Sequence, residues 1–227
     1  YLLNLHLGKL TIMETKLKIN EIFYSIQGES THAGKPCIFI RLTYCNLRCN
    51  YCDTEYAFHE GTDMSISEIL SKIKKYPCTL VEVTGGEPLF QNNCVQLLQS
   101  LILNRYKVML ETGGSLPLHD VPAEVIKIVD FKCPSSKMEK KNDWSILADL
   151  KKNDEVKFVI GDKEDFDWAV DKIISHQLTE KFTVLFSPVF NRLKYDTLTD
   201  WILYCNLPVR FQAQIHKHIW NPNKKGV

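Results

Sequence analysis

No stretch of this 227-residue sequence holds the roughly 18–20 consecutive apolar residues needed to cross a bilayer; its apolar runs, such as Cys37-Ile38-Phe39-Ile40, have the length of a strand. A helical membrane span is excluded. Nor does one sign of charge prevail: 28 Lys and Arg face 27 Asp and Glu, a formal net charge of +1. A nucleic-acid coat needs a strong positive excess, so no direct nucleic-acid or membrane partner is expected. Residues 1–15 lack the continuous apolar segment and small-residue cleavage site of a secretory signal. They are read as an N-terminal extension, with Met13 as a natural start, and the location is expected to be cytoplasmic. A single domain over residues 16–220 and a flexible tail over 221–227 follow. There is no internal repeat and no long low-complexity linker. With 44% hydrophobic and 24% charged residues, global disorder is excluded as well.

What is present is an uneven distribution of cysteine. A disulfide framework is not expected in a chain large enough to bury its own core. Of eight cysteines, Cys45, Cys49 and Cys52 fall within eight residues as C-x3-C-x2-C, while Cys37, Cys78, Cys94, Cys133 and Cys205 are scattered. Apolar periodicity predicts strands over residues 18–23 (an edge), 36–43, 79–84, 107–111, 125–131, 156–160, 182–187 and 209–215. Helices are predicted over 65–75, 91–103, 144–150, 166–176 and 197–205. Strands separated by helices of this length imply right-handed βαβ units and an α/β fold with a largely parallel sheet. Periodicity alone permits an open doubly wound sheet or an incomplete barrel. Either gathers its chemistry at the C-terminal ends of the strands, where the cysteine segment, Gly85-Gly86 and Thr112-Gly113-Gly114 fall.

Three thiolates on one short loop can surround a soft metal centre, but they do not complete tetrahedral zinc. His59 as a fourth ligand is the rival arrangement. Iron–sulfur sites ordinarily use four cysteines per four-iron cluster, so three leave one iron open, which is a catalytic arrangement. Together with Thr84-Gly85-Gly86-Glu87-Pro88, the motif resembles the radical S-adenosylmethionine superfamily, in which the open iron is chelated by the amino and carboxylate groups of S-adenosylmethionine. Further stretches narrow the resemblance: residues 23–30 around Gln27-Gly28-Glu29, Cys52-Asp53-Thr54, Asp130-Phe131-Lys132-Cys133-Pro134-Ser135-Ser136, and Gln214-Ile215-His216-Lys217. Over residues 18–220 the chain is similar to the 7-carboxy-7-deazaguanine synthases of queuosine and deazapurine biosynthesis.

That resemblance implies an incomplete (β/α)6 TIM-like barrel with the cluster loop after its first strand. It implies a homodimer, a [4Fe–4S] cluster on Cys45, Cys49 and Cys52, S-adenosylmethionine and Mg2+. The expected reaction is a lyase reaction: a 5′-deoxyadenosyl radical starts ring contraction of 6-carboxy-5,6,7,8-tetrahydropterin, ammonia is lost, and an external flavodoxin- or ferredoxin-type protein supplies the electron. Gly85, Gly86 and Glu87 are expected beside the methionine moiety, since glycines at a strand end let backbone approach a ligand. Tyr51 is expected near the adenine, and Glu111 and Ser135 at the cofactor or in a structural role. Gln27 and Glu29 are candidates for the polar edge of the pterin, with an ordinary surface loop as the alternative. Arg41 is assigned to the substrate carboxylate, with a structural ion pair as its rival. Gly85 and His216 are further substrate contacts, and Lys217 and His218 have weaker claims. Thr54 matches the family's magnesium position, although Asp53 is the more obvious hard-cation ligand. No protein acid or base is assigned.

Two departures stand out. Gly113 replaces the Asn or Ser common in the family, and the chain runs past the histidine-lysine stretch to Val227, where some relatives end with a carboxylate near the substrate. An activase of glycyl-radical enzymes is the alternative enzyme, although no added ferredoxin-like cysteine set is present. A zinc-stabilised interaction module is the non-enzyme alternative.

Overall fold

The computed structural model describes residues 15–227; the N-terminal extension, residue 15 apart, lies outside the described residues. Among the described residues nine strands form one sheet: β1 (Lys16–Ile26), β2 (Pro36–Leu42), β3 (Thr62–Ser65), β4 (Leu80–Gly85), β5 (Lys107–Thr112), β6 (Ile126–Phe131), β7 (Glu155–Ile160), β8 (Thr183–Pro188) and β9 (Arg210–Phe211). Their order is β3-β1-β2-β4-β5-β6-β7-β8-β9. β3, β1 and β2 pair antiparallel, and every pairing from β2 to β9 is parallel. The sheet curls into a partial barrel. Ser30 N–H to Gln212 Oε1 (2.6 Å) and Ile215 N–H to Gly28 O (3.1 Å) tie the β1–β2 loop to the segment after β9.

Period-two alternation sets the two faces of the parallel strands. Ile38, Ile40, Val81, Val83, Val108, Leu110, Val156, Phe158 and Phe186 point outward into the main core. The helices α1 (Ile66–Ile73), α2 (Cys94–Leu103), α3 (Lys163–His176), α4 (Leu178–Lys181) and α5 (Tyr195–Cys205) cover that face, with Leu97, Ala169 and Leu198 fully buried in it. Ser65 and Glu68 form a capping box that starts α1, and Ile69 and Ile73 bury one stripe of it. On the inner face Phe23, Cys37, Phe39, Leu80, Met109 and Ile128 form a second, smaller apolar cluster that closes the barrel at the N-terminal side of its strands.

Three expectations are corrected. β1 is an edge only beyond Ile19, because the short polar strand β3 pairs with Lys16–Ile19. Residues 144–149 are 3-10 rather than α-helical: Asp143 caps the turn, and Trp144 is stacked on Phe131 at 4.3 Å, leaving a short tether rather than a free helix. The last strand is only Arg210–Phe211. The side-chain amides of Gln212 and Gln214 both turn to Glu29, and the chain leaves the sheet for α6 (His216–Ile219). Among the described residues no helix is long and apolar enough to cross a membrane.

Candidate active site

The C-terminal ends of the strands open into a cavity of about 680 Å³, within the range of cofactor and substrate sites. Cys45, Cys49 and Cys52, on the loop after β2, line its upper wall with Gly85, Gly86, Tyr51 and Thr54; Gln27, Glu29, Arg41, Glu111 and His216 line it as well. Glu87 and Ser135 do not. Burial raises all three thiols, and the Lys132 ammonium acts on each in the opposite direction. Arg48 pins the loop, donating to Cys45 O (2.8 Å) and Leu47 O (2.7 Å) with its guanidinium over the Phe58 ring.

The glycine pair lets the β4 end sit against this loop. Gly85 has φ +151°, and a Cβ there would stand 2.3 Å from Leu42 O; a Cβ on Gly86 would stand 2.3 Å from Tyr44 O and 2.7 Å from Cys45 Cβ. Glu87 serves the same junction from behind. Its buried carboxylate accepts from Gly113 N–H (2.7 Å), Thr112 Oγ1 (2.9 Å) and Leu89 N–H (3.1 Å). It staples the β4 loop to the β5 loop instead of facing the cavity. Ser135 is likewise committed elsewhere, donating through N–H and hydroxyl to Asp165. Cys133 is fully buried in the outer core.

The substrate candidates are bound mainly to other side chains of the fold. Gln27 Nε2 donates to Glu82 Oε2, and Gln27 Oε1 accepts from Glu29 N–H (3.0 Å). Glu29 accepts from Lys157 Nζ (3.0 Å), Gln212 Nε2 (3.0 Å) and Gln214 Nε2 (2.9 Å). Burial alone would raise its carboxyl, but these partners hold it below its ordinary range. Arg41 Nε donates to Glu21 Oε1 (2.8 Å), the ion pair foreseen as its rival role. Its η nitrogens have no hydrogen-bond partner among the described residues. Thr54 Oγ1 donates to Asp53 Oδ1 (2.8 Å), and Asp53 Oδ2 meets Lys217 Nζ at 2.5 Å. Burial opposes ionisation of Asp53, yet Lys217, Thr54 and Arg41 hold it well below the usual carboxylate range. His216 packs on Gly28, where a Cβ would lie 2.0 Å from its Nδ1; burial lowers its imidazole. His218 bonds the Tyr195 hydroxyl outside the cavity. Residues 222–227, read as a flexible tail, also line the cavity, with Lys225 Nζ 4.1 Å from the Tyr56 ring centroid.

Four residues that sequence reasoning left without a role complete the inner wall: Glu82, Asp130, Lys132 and Lys157. Lys157 Nζ pairs with Glu29, Glu111 and, at 3.6 Å, Asp130 Oδ2, while Lys132 Nζ holds the same oxygen at 2.9 Å. Their signal was legible: each is an ionisable residue in or just after an otherwise apolar predicted strand. Among the described residues no three His, Cys, Asp or Glu side chains are grouped as ligands of a single ion.

The Radical SAM superfamily model matches residues 39–132, from β2 through the cysteine loop to the end of β6. The chain is 44% identical over 217 residues to the 7-carboxy-7-deazaguanine synthase of Chlorobaculum tepidum, covering 94% of this chain and 99% of that one. The chain belongs to the 7-carboxy-7-deazaguanine synthase family. The synthase of Koribacter versatilis is also 44% identical, over 226 residues, with 93% of this chain and 100% of that one covered. The structure of QueE from Escherichia coli superposes with a TM-score of 0.71 at 23% identity, over 87% of this chain and 93% of that one, so the fold is shared. Membership of this synthase family makes the chain a radical S-adenosylmethionine enzyme and gives its iron–sulfur and S-adenosylmethionine cofactors a place to be sought: the wall that carries Cys45, Cys49, Cys52, Gly85 and Gly86.

Proposed function

We propose that this chain converts 6-carboxy-5,6,7,8-tetrahydropterin to 7-carboxy-7-deazaguanine. The observation that carries the reading is a single cavity joining three thiols at its mouth to a charged, hydrogen-bonding inner wall, in a chain similar end to end to synthases of that product. The donor set fits a cluster: three soft ligands on one loop, a cation in Lys132 beside them, and two glycines that admit backbone close to the loop. Cys45, Cys49 and Cys52 would hold a [4Fe–4S] cluster, with S-adenosylmethionine beside Gly85 and Gly86. Together they supply the one-electron chemistry that starts ring contraction.

The chain's own residues bind, orient and shield. Thr54 and the ionised Asp53 present adjacent oxygens to a Mg2+ ion, and Arg41 directs its free η nitrogens to the substrate carboxylate. Lys157 and Lys132 hold Glu29, Glu111 and Asp130 in place through ion pairs, so the wall needs no rearrangement when a ligand enters. Residues 222–227 restrict water at the mouth. The working unit is a homodimer fed by a flavodoxin- or ferredoxin-type donor. The reaction belongs in the cytoplasm, where thiols stay reduced.

The test is anaerobic turnover after iron–sulfur reconstitution, with 6-carboxytetrahydropterin, S-adenosylmethionine, Mg2+ and a reductant, and mass detection of product. Product formed in excess over S-adenosylmethionine consumed, and abolished in Cys49→Ala, supports the proposal. Cleavage of S-adenosylmethionine with no deazaguanine would sink the pterin assignment, and a preparation that takes up zinc alone would sink the radical chemistry.

A further inference from the structure

Glu82 is the one carboxyl of the inner wall whose hydrogen bond comes from an amide and not from a cation. Lys157 is taken by Glu29, Glu111 and Asp130, and Lys132 by Asp130; for Glu82 the partner is Gln27 Nε2. Glu82 is 4% exposed and lines the cavity. In strand register it stands beside Phe39 of β2 and Met109 of β5, members of the apolar cluster that closes the barrel.

The groups facing Glu82 come from four sides. The Cys37 thiol of β2 is neutral, its own ionisation opposed by burial. Glu111 of β5 and Glu29 of the β1–β2 loop are carboxylates, and only Lys157 of β7 is cationic. Desolvation first, then repulsion from Glu111, lifts the Glu82 carboxyl well above its ordinary range, and Gln27 and Lys157 do not offset this. A buried carboxyl whose hydrogen bond comes from an amide, with the nearby cation shared among its neighbours, favours its neutral form.

A protonated carboxyl is a donor, the property an ionised wall lacks. Gln27 fixes which way it points. Gln27 Oε1 is held by Glu29 N–H, so the amide cannot flip, and its Nε2 occupies Glu82 Oε2. The other oxygen carries the hydroxyl and is left for the cavity. Resting on the pterin reading above, we propose that Glu82 is a specificity-determining residue whose carboxylic acid donates a hydrogen bond to the oxo acceptor on the pyrimidine edge of the bound pterin. Gln27 is its positioning residue. The neighbouring carboxylates, Glu29 and Glu111, offer only acceptors, and these suit the amino and ring N–H donors of the same edge.

The test uses the reconstituted enzyme with S-adenosylmethionine and no reductant, so that 6-carboxytetrahydropterin binds without turning over. Calorimetric titration is compared for wild type, Glu82→Gln and Glu82→Met. Glutamine is neutral, keeps an oxygen for Gln27 and puts an N–H2 donor where the hydroxyl was; methionine has similar bulk and no donor. Glu82→Gln should bind within about 3-fold of wild type, and Glu82→Met should bind ~10- to 100-fold more weakly. Both variants losing affinity together would mean that an ionised carboxylate is required, and both keeping it would mean that Glu82 does not meet the ligand; either overturns the proposal and leaves the pterin reading standing. A wild type that binds no pterin overturns the reading itself. A melting temperature no lower than that of wild type and an unchanged iron content in Glu82→Gln separate a lost contact from a damaged fold.

Discussion

Lys157→Met puts the charged wall to its hardest test. The ammonium is 4% exposed and is shared by Glu29 at 3.0 Å, by Glu111, and by Asp130 at 3.6 Å. Methionine fills a similar volume but leaves buried carboxylates without their cation. Breaking a buried ion pair from one side costs about 3–5 kcal/mol, which for a chain of this size corresponds to a fall in melting temperature of roughly 6–20 °C. The cost has a predictable pH dependence. Glu29 is held below its ordinary range by Lys157, so its contribution is fully present above that range and is lost as pH falls through the lowered value. Lys157 itself is raised, so its contribution persists up to the ordinary lysine range and is lost only above it. In the variant Glu29 loses the cation that lowered it while its burial remains, so it protonates more readily under mild acid and sheds its penalty. The gap between wild type and variant, measured by urea unfolding, should be widest near neutral pH and narrow towards pH 4.5. A gap below about 1 kcal/mol at neutral pH, or one equally large at both pH values, would refute the account of the wall as a single coupled unit.

Glu82→Gln should reverse that pH trend. A carboxyl raised in the folded state costs stability as pH climbs above the ordinary glutamate range, so the variant should gain on wild type between pH 4.5 and 7.5 in paired thermal melts. Gly28→Ala drives a methyl into the His216 ring and should cost about 1–3 kcal/mol; adding His216→Ala should recover most of that loss, a coupling readable in a double-mutant cycle. Glu87→Ala removes the acceptor of Thr112, Gly113 and Leu89, at about 2–5 kcal/mol. Because Glu87 N–H also bonds Tyr44 O at the root of the cysteine loop, the same variant should retain less iron after reconstitution; full iron retention would separate the staple from the loop.

Much of this molecule is written locally. The strands at 36–42, 80–85 and 155–160 follow from short β-branched runs, and the start of α1 follows from Ser65 and Glu68. The cysteine loop and the glycine pair are contiguous motifs, so spacing sufficed to read them. Strand β3 was missed because four residues, two of them exposed, carry too little pattern. The last strand was overread because Gln212 and Gln214 sit at period-two spacing but bond to Glu29, 183 and 185 residues away.

What spacing does not encode is which polar groups satisfy one another. From sequence, Gln27, Glu29 and Arg41 are free to meet a ligand; in the fold, Gln27 holds Glu82, Glu29 holds Lys157, and Arg41 holds Glu21. Glu87 lies inside the most telling motif of the chain, yet its side chain faces the β5 loop. The sequence alone determined the three-cysteine loop, the alternation of strands and helices, and the family. Tertiary structure alone decided which buried carboxyls share a cation and which is bonded by an amide instead, because desolvation and pairing depend on distances between residues that the chain keeps far apart.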